Sequence, residues 1–245
     1  MKGLRGIILS FSILISMVMC SAPESSKEEN QITIVSQMKN VMWKGELGAK
    51  IRLDSLSDKS HLYGLGPVEY LRGEVLIIDG KAYKSTVATD STMRVEETFD
   101  IGSPFFGYSQ VSNWDEQIIP DSIQSIGQLE NYLNQITQES QRPFFFKVIG
   151  MVNEATIHIV NLPEGTVVSS PEEAHQGQVN YELSNQNAEL IGFFSTEHQT
   201  IFTHHDSFMH IHLITENRQK MGHLDRLILG KEAKLYLPKS SKTKP

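Results

Sequence analysis

The chain has 245 residues, 39% of them hydrophobic and 21% charged, a balance that lets folding bury a full core as one large domain or two small ones. Its formal net charge of −7, with no long run of lysine or arginine, argues against nucleic acid as the main partner. A small anionic substrate stays open, because a local pocket can be positive on a negative surface. The single cysteine, Cys20, excludes a disulfide within the chain.

Residues 1–20 read as a signal peptide. Lys2 and Arg5 form a short basic region, and Ile7 to Met19 is an apolar stretch broken only by Ser10, Ser12 and Ser16. That stretch suits a secretory signal and is too short for a comfortable membrane span. Two readings of Cys20 stand: the lipid-anchored first residue of a lipoprotein, or a bystander to ordinary cleavage nearby. Met17-Val18-Met19 lacks the small residues that lipoprotein processing prefers, while Pro23 disfavours a cut after Ala22. Either way the expected location is outside the cytoplasm, periplasmic or membrane-anchored. Residues 21–31 are polar and unpatterned, a disordered tether.

From Ile34 to Lys44, apolar residues at Val35, Met38, Val41 and Met42 predict a helix. After the turn signal Gly64-Leu65-Gly66-Pro67, the run Gly73 to Tyr83 reads as two strands joined by a tight Asp79-Gly80 hairpin. Phe105 to Val111 is another strand. Asp121 to Gln138 is the clearest helix, with Asp121 as N-cap and a core stripe of Ile123, Ile126, Leu129, Leu133 and Ile136. Beyond Arg142-Pro143 six strands follow, at 144–148, 156–160, 178–183, 189–194, 208–214 and 224–229. The expected fold is α/β in the α+β sense: two lobes of mostly antiparallel or mixed sheet, with few helices. A boundary near Pro143 divides residues 32–142 from a metal-binding lobe at 143–245.

The chemistry concentrates in three of the nine histidines. In a strand, side chains alternate between faces, so His210 and His212 point the same way while Met209, Ile211 and Leu213 face the other. Glu216 to Lys220 is a polar loop, Gly222 helps the chain turn back, and His223 returns within reach of the first pair. Two ligands on one strand and a third on its neighbour can hold a zinc ion with a position left open for substrate. Other divalent transition metals accept the same donors. His204 and His205 are weaker candidates on a loop, and His61, His158, His175 and His198 read as structural.

The chain also resembles the alpha-acetolactate decarboxylase family over roughly residues 35–230. Tyr63-Gly64-Leu65-Gly66, Leu71-Arg72-Gly73-Glu74-Val75 and Ile78-Asp79-Gly80-Lys81-Ala82-Tyr83 are similar to its opening block, and Ser103-Pro104-Phe105 to a second. The segment from His210 to His223 resembles its zinc block, with Glu216, Arg218 and Gly222 in frame. The resemblance implies a two-lobe dimer with the metal between the lobes. It further implies conversion of (S)-2-acetolactate to (R)-acetoin and CO2, the metal polarising the ketone and stabilising an enediolate. A related 2-hydroxy-3-oxo acid, or a non-catalytic hydroxy-acid-binding role, is the alternative. Carried over by position, His210, His212 and His223 are ligands and Glu74 handles the proton. Lys147 stands where the family has an arginine for the substrate carboxylate; it keeps the charge but loses the planar fork. The family's further glutamate, well beyond the third histidine, has no match; Asp225 and Glu232 are the carboxylates after His223.

Overall fold

A computed structural model describes residues 30–239 of the chain. The expected signal peptide, the Cys20 anchor and nearly all of the tether lie outside the described residues.

The first half contains β1 (Thr33–Val35), α1 (Met38–Lys44), β2 (Ile51–Arg52), β3 (Leu62–Pro67), β4 (Glu74–Ile78), β5 (Lys81–Thr89), β6 (Thr92–Glu97), β7 (Gly102–Ser103), β8 (Phe106–Gln110) and β9 (Trp114–Ile118). Six of these strands form an antiparallel sheet in the order β1-β8-β3-β4-β5-β6. The β4–β5 connection is the expected hairpin: Asp79 and Gly80 both adopt positive φ, 45° and 78°, as a two-residue turn between right-twisted strands requires. The expected helix at 34–44 begins only at Met38. Thr33 to Val35 instead pair with Phe106–Tyr108 of β8, so sheet hydrogen bonds override the helical spacing of Ile34 and Val35.

The second half contains α2 (Ile126–Ile136), β10 (Phe144–Ile159), α3 (Pro171–Ala174), β11 (Val179–Phe194), β12 (Met209–Thr215), β13 (Met221–Leu229) and β14 (Lys234–Pro238). Four predicted strands fuse here into two of 16 residues each, β10 and β11, paired antiparallel from Phe144↔Phe194 to Ile159↔Val179. Their polar middles read as loops in sequence, but they are held as strand by pairing with each other. β11 pairs with β12, β12 with β13, and β13 returns to the C-terminal half of β10, so four strands close a circuit. The N-terminal half of β10 pairs instead with β14, which adds β9 at the edge.

The helix α2 caps this closed sheet. Its N-cap is Ser125 rather than the expected Asp121: the Ser125 hydroxyl accepts from the Gln128 N–H while the Gln128 side chain accepts from the Ser125 N–H. Asp121 lies outside the helix, where its carboxylate accepts from the Glu232 N–H. Leu129 and Leu133 are buried, Ile123 and Ile126 pack partly, and Ile136 is exposed.

Three apolar layers result. One fills the inside of the strand circuit under α2, with Phe146, Val148, Leu190, Leu213 and Leu227. A second lies between the two sheets, joining Tyr63, Leu65 and Leu76 to Phe145, Ile191, Phe193 and Ile214. The third covers the outer face of the first sheet with Leu53, Val75, Ile77 and Phe106. All five residues of β4 are buried, and alternation puts Glu74, Leu76 and Ile78 on the face toward the second sheet.

One irregularity sets which side chains face that middle layer. In β10, Val148 and Val152 point inside the circuit, but so do Ala155, Ile157 and Ile159. The register shift between Val152 and Glu154 inserts one residue and switches the alternation. His158 therefore faces outward, and a second shift, between Thr156 and Ile157, sets it opposite His223. Gly222 lies within β13 rather than at a turn, and a Cβ there would meet the His158 carbonyl oxygen at 2.5 Å. Gly222→Ala is expected to cost about 1–3 kcal/mol by overpacking. The urea midpoint measures this, and an unchanged midpoint would show that the approach is not constrained.

Candidate metal centre

The hairpin β12–β13 builds the centre. The Glu216–Lys220 connection is closed by the Thr215 N–H donating to the Lys220 carbonyl, which sets His212 directly opposite His223. His210, two residues before His212, lies on the same face. The three rings converge from these positions. Their centroids are 5.2 Å (His210–His212), 5.0 Å (His210–His223) and 5.5 Å (His212–His223) apart. One nitrogen from each lies within 4.8 Å of the others. All three side chains are buried, His212 completely.

The electrostatics follow from that burial. Desolvation holds the imidazoles of His210 and His223 well below their ordinary pKa, and that of His212 down at about 3, so all three are neutral donors. The Nδ1–H of His210 donates to the Phe202 carbonyl at 2.9 Å, which fixes the ring and frees Nε2. Both nitrogens of His212 are buried without a well-formed hydrogen bond; the Val75 backbone and Glu74 Oε2, at 3.5 Å, approach it only loosely. An unsatisfied buried imidazole is costly, and a ligand for it removes that cost.

These features fit a metal ion. An ion bonded tetrahedrally to imidazole nitrogens at about 2.0–2.1 Å separates the ring centroids by about 5 Å, the spacing found here. Neutral, desolvated imidazoles with an outer hydrogen bond suit zinc and its divalent neighbours.

Glu74 reaches the same place from the first sheet. Its Oε1 accepts from the Val160 N–H at 3.2 Å, and its Oε2 is 3.5 Å from His212 Nε2. Only 3% of Glu74 is exposed, and desolvation raises its carboxyl well above the usual carboxylate range. The same burial favours the neutral form of both Glu74 and His212, so their approach is not a conventional ion pair. A glutamate on the inward register of a strand buried on both faces is the sequence signal for Glu74, visible once both faces are known to be covered.

Lys147 is not brought to this cluster. Cross-strand partners run Lys147–Ile191–His212–His223–His158, placing Lys147 two strands from His212, about 10 Å at ordinary strand spacing. Its ammonium instead lies over Trp114 and Tyr236, 4.9 and 4.7 Å from the ring centroids. There burial lowers its pKa.

In its place the structure supplies histidines that strand alternation alone does not single out. Glu74, His158, His175, His204, His210 and His223 line a cavity of about 30 Å³, closed by Met38, Met42, Leu71 and Phe105. That is room for about one water-sized group. The His158 ring lies tilted against that of His223, centroids 4.7 Å apart, and its Nδ1–H donates to both carboxylate oxygens of Asp225 at 2.8 Å. The His175 Nδ1–H donates to the Pro171 carbonyl at 2.6 Å. Asp225 thus reaches the site through His158, whereas Glu232 does not line the cavity. His61 and His198 bond elsewhere, to Asp79 and Ser195.

The comparisons with known proteins agree with this geometry. The family model for alpha-acetolactate decarboxylase matches residues 32–244. The fold is shared with acetolactate decarboxylase from Bacillus subtilis subspecies spizizenii, at a TM-score of 0.70 and 21% identity over 86% of each chain. The enzyme from Bacillus subtilis strain 168 gives a TM-score of 0.69 at 21% identity, again over 86% of each chain. A Staphylococcus aureus protein of unknown function similar to alpha-acetolactate decarboxylase gives 0.68 at 16% identity, with the same coverage. No curated protein matches in sequence. With a family match spanning nearly all the described residues and a two-sheet fold converging on three buried histidines, the chain belongs to the alpha-acetolactate decarboxylase family of carboxy-lyases.

Proposed function

We propose that the protein decarboxylates (S)-2-acetolactate to (R)-acetoin and CO2 at a divalent metal, zinc first among the candidates, held by His210, His212 and His223. The observation that carries this reading is the buried cluster between the two sheets, where the His210, His212 and His223 imidazoles converge and the Glu74 carboxyl approaches His212 at 3.5 Å. When bound there, the metal supplies a Lewis acid that polarises the substrate ketone and offsets the charge left behind by CO2.

The chain's own residues do the rest. Loss of CO2 leaves the electron pair of the broken C–C bond on the former α-carbon, which must then take up a proton. Glu74 carries that proton on Oε2, the oxygen facing His212, while the Val160 N–H holds Oε1 in place. Because Glu74 approaches from one side only, the proton arrives on one face, and this supports a single product hand. Met38, Met42, Leu71 and Phe105 keep water from protonating the other face.

The segment from Lys2 to Met19 supports export, with Cys20 as an anchor, and the family resemblance supports a homodimer; both belong to this proposal. The expected result with metal-loaded protein is release of CO2 and acetoin from acetolactate. Glu74→Gln is expected to lose about 10²–10⁴-fold in kcat while keeping its metal. His212→Ala is expected to lose both metal and turnover. Turnover by metal-loaded wild type that survives in His212→Ala would contradict the site.

The metal-free protein has a defined pH response. The three imidazoles have folded pKa values below the ordinary 6.5, so below that pH the unfolded chain takes up protons the fold refuses. Stability is therefore full above about pH 6.5 and falls as pH drops below it. Glu74, raised above 4.5, acts in the opposite sense but with only one proton. Urea midpoints of the metal-free protein between pH 7 and pH 5 are expected to fall with acidification. In His212→Ala the fall should be shallower; equal slopes would contradict the assignment.

A further inference from the structure

We infer that His204 is a fourth, exchangeable imidazole of the metal centre, one that fills the open position at rest and leaves it when substrate arrives. The inference rests on the metal reading above and adds a residue to it.

His204 stands at the rim of the histidine cluster. Its ring centroid is 5.1 Å from that of His223, inside the range spanned by the three ligands, and 6.4 Å from that of His210, somewhat beyond it. Among the described residues, the His204 ring has no hydrogen-bond partner, unlike His158, His175 and His210, each tied through Nδ1. A half-buried, unbonded imidazole on a loop beside His223 and His210 is placed to turn toward an ion that they share.

Its position in the chain gives it reach. The loop between β11 and β12 is anchored at Phe202, whose carbonyl holds the ligand His210. His204 follows two residues later, so the contact that orients one ligand also delivers the next imidazole. The Thr200 N–H donates to the Thr203 carbonyl across a short bridge, and His204 is the first residue after it.

The surrounding space gives a reason for exchange. The metal cavity holds about 30 Å³, too little for a hydroxy-oxo acid. Beside it lies a cleft of about 210 Å³ under Ile126 and Met209. Among the described residues, only His204 and His223 line both spaces. His223 is fixed on a strand, whereas His204 sits on a loop. An acid entering from the cleft meets His204 first, and a chelating pair of oxygens displaces a single imidazole.

The test uses the full chain loaded with Co2+, whose visible spectrum reports its ligands, with azide as a probe of an open metal position. Wild type is expected to bind Co2+ tightly and to resist azide. His204→Ala is expected to bind Co2+ about tenfold more weakly or worse. Its spectrum should shift at azide concentrations that leave wild type unchanged. His204→Gln should behave as His204→Ala, and the exposed His205→Ala as wild type. If folded His204→Ala matches wild type in both affinity and azide response, the fourth-ligand inference is overturned while the three-histidine centre stands. If wild type takes up no Co2+, the metal reading itself falls, and this inference with it.

Discussion

The removal of water from three imidazoles is the constraint on which the rest of this structure depends. Exposed histidines at neutral pH divide between charged and neutral forms; His210, His212 and His223 are held neutral because both sheets exclude solvent from them. Burying polar rings is unfavourable unless something satisfies them. His210 is satisfied on one side by the Phe202 carbonyl, but His212 is approached only loosely, by the Val75 backbone and by Glu74 at 3.5 Å. The fold therefore carries a local deficit that a cation at the triad would remove, and under the proposed function metal binding is part of its stability as well as its chemistry.

That dryness comes from two sheets meeting face to face. β4 presents Glu74, Leu76 and Ile78 from one side, while Ile191, Phe193, Ile214 and the three histidines come from the other. Leu76, Ile78, Ile191 and Phe193 seal the contact; Glu74 and the histidines are the polar residues enclosed by it. The same desolvation pushes Glu74 toward its protonated form and the histidines away from theirs, so one physical cause gives the carboxyl and the imidazoles the states that the proposed reaction asks of them. The bulge in β10 extends the polar cluster, because it turns His158 outward to lie against His223 and reach Asp225.

Much of this was legible in the residues. The alternation His210-x-His212, the polar turn and His223 predict a hairpin with three imidazoles on one face, and the hairpin has that register. The Asp79-Gly80 turn was equally plain. What local pattern could not show depends on pairing between distant strands. The polar middles of β10 and β11 look like loops until each is set against the other. His158 looks structural until two register shifts between β10 and β13 put it opposite His223. Lys147 looks placed for a carboxylate, yet counting strands puts it two removed from His212 and among aromatic rings. The N-cap at Ser125 was readable from Ser125-x-x-Gln128, a capping box four residues beyond the helix start assigned to Asp121.

The central claim concerns one ion and three side chains, and anomalous diffraction from crystals of the metal-loaded protein tests it most directly. The account predicts a strong anomalous peak between the two sheets, about 2.0–2.1 Å from one nitrogen each of His210, His212 and His223. Its absence from that position, or a peak held instead by surface carboxylates, would contradict the account.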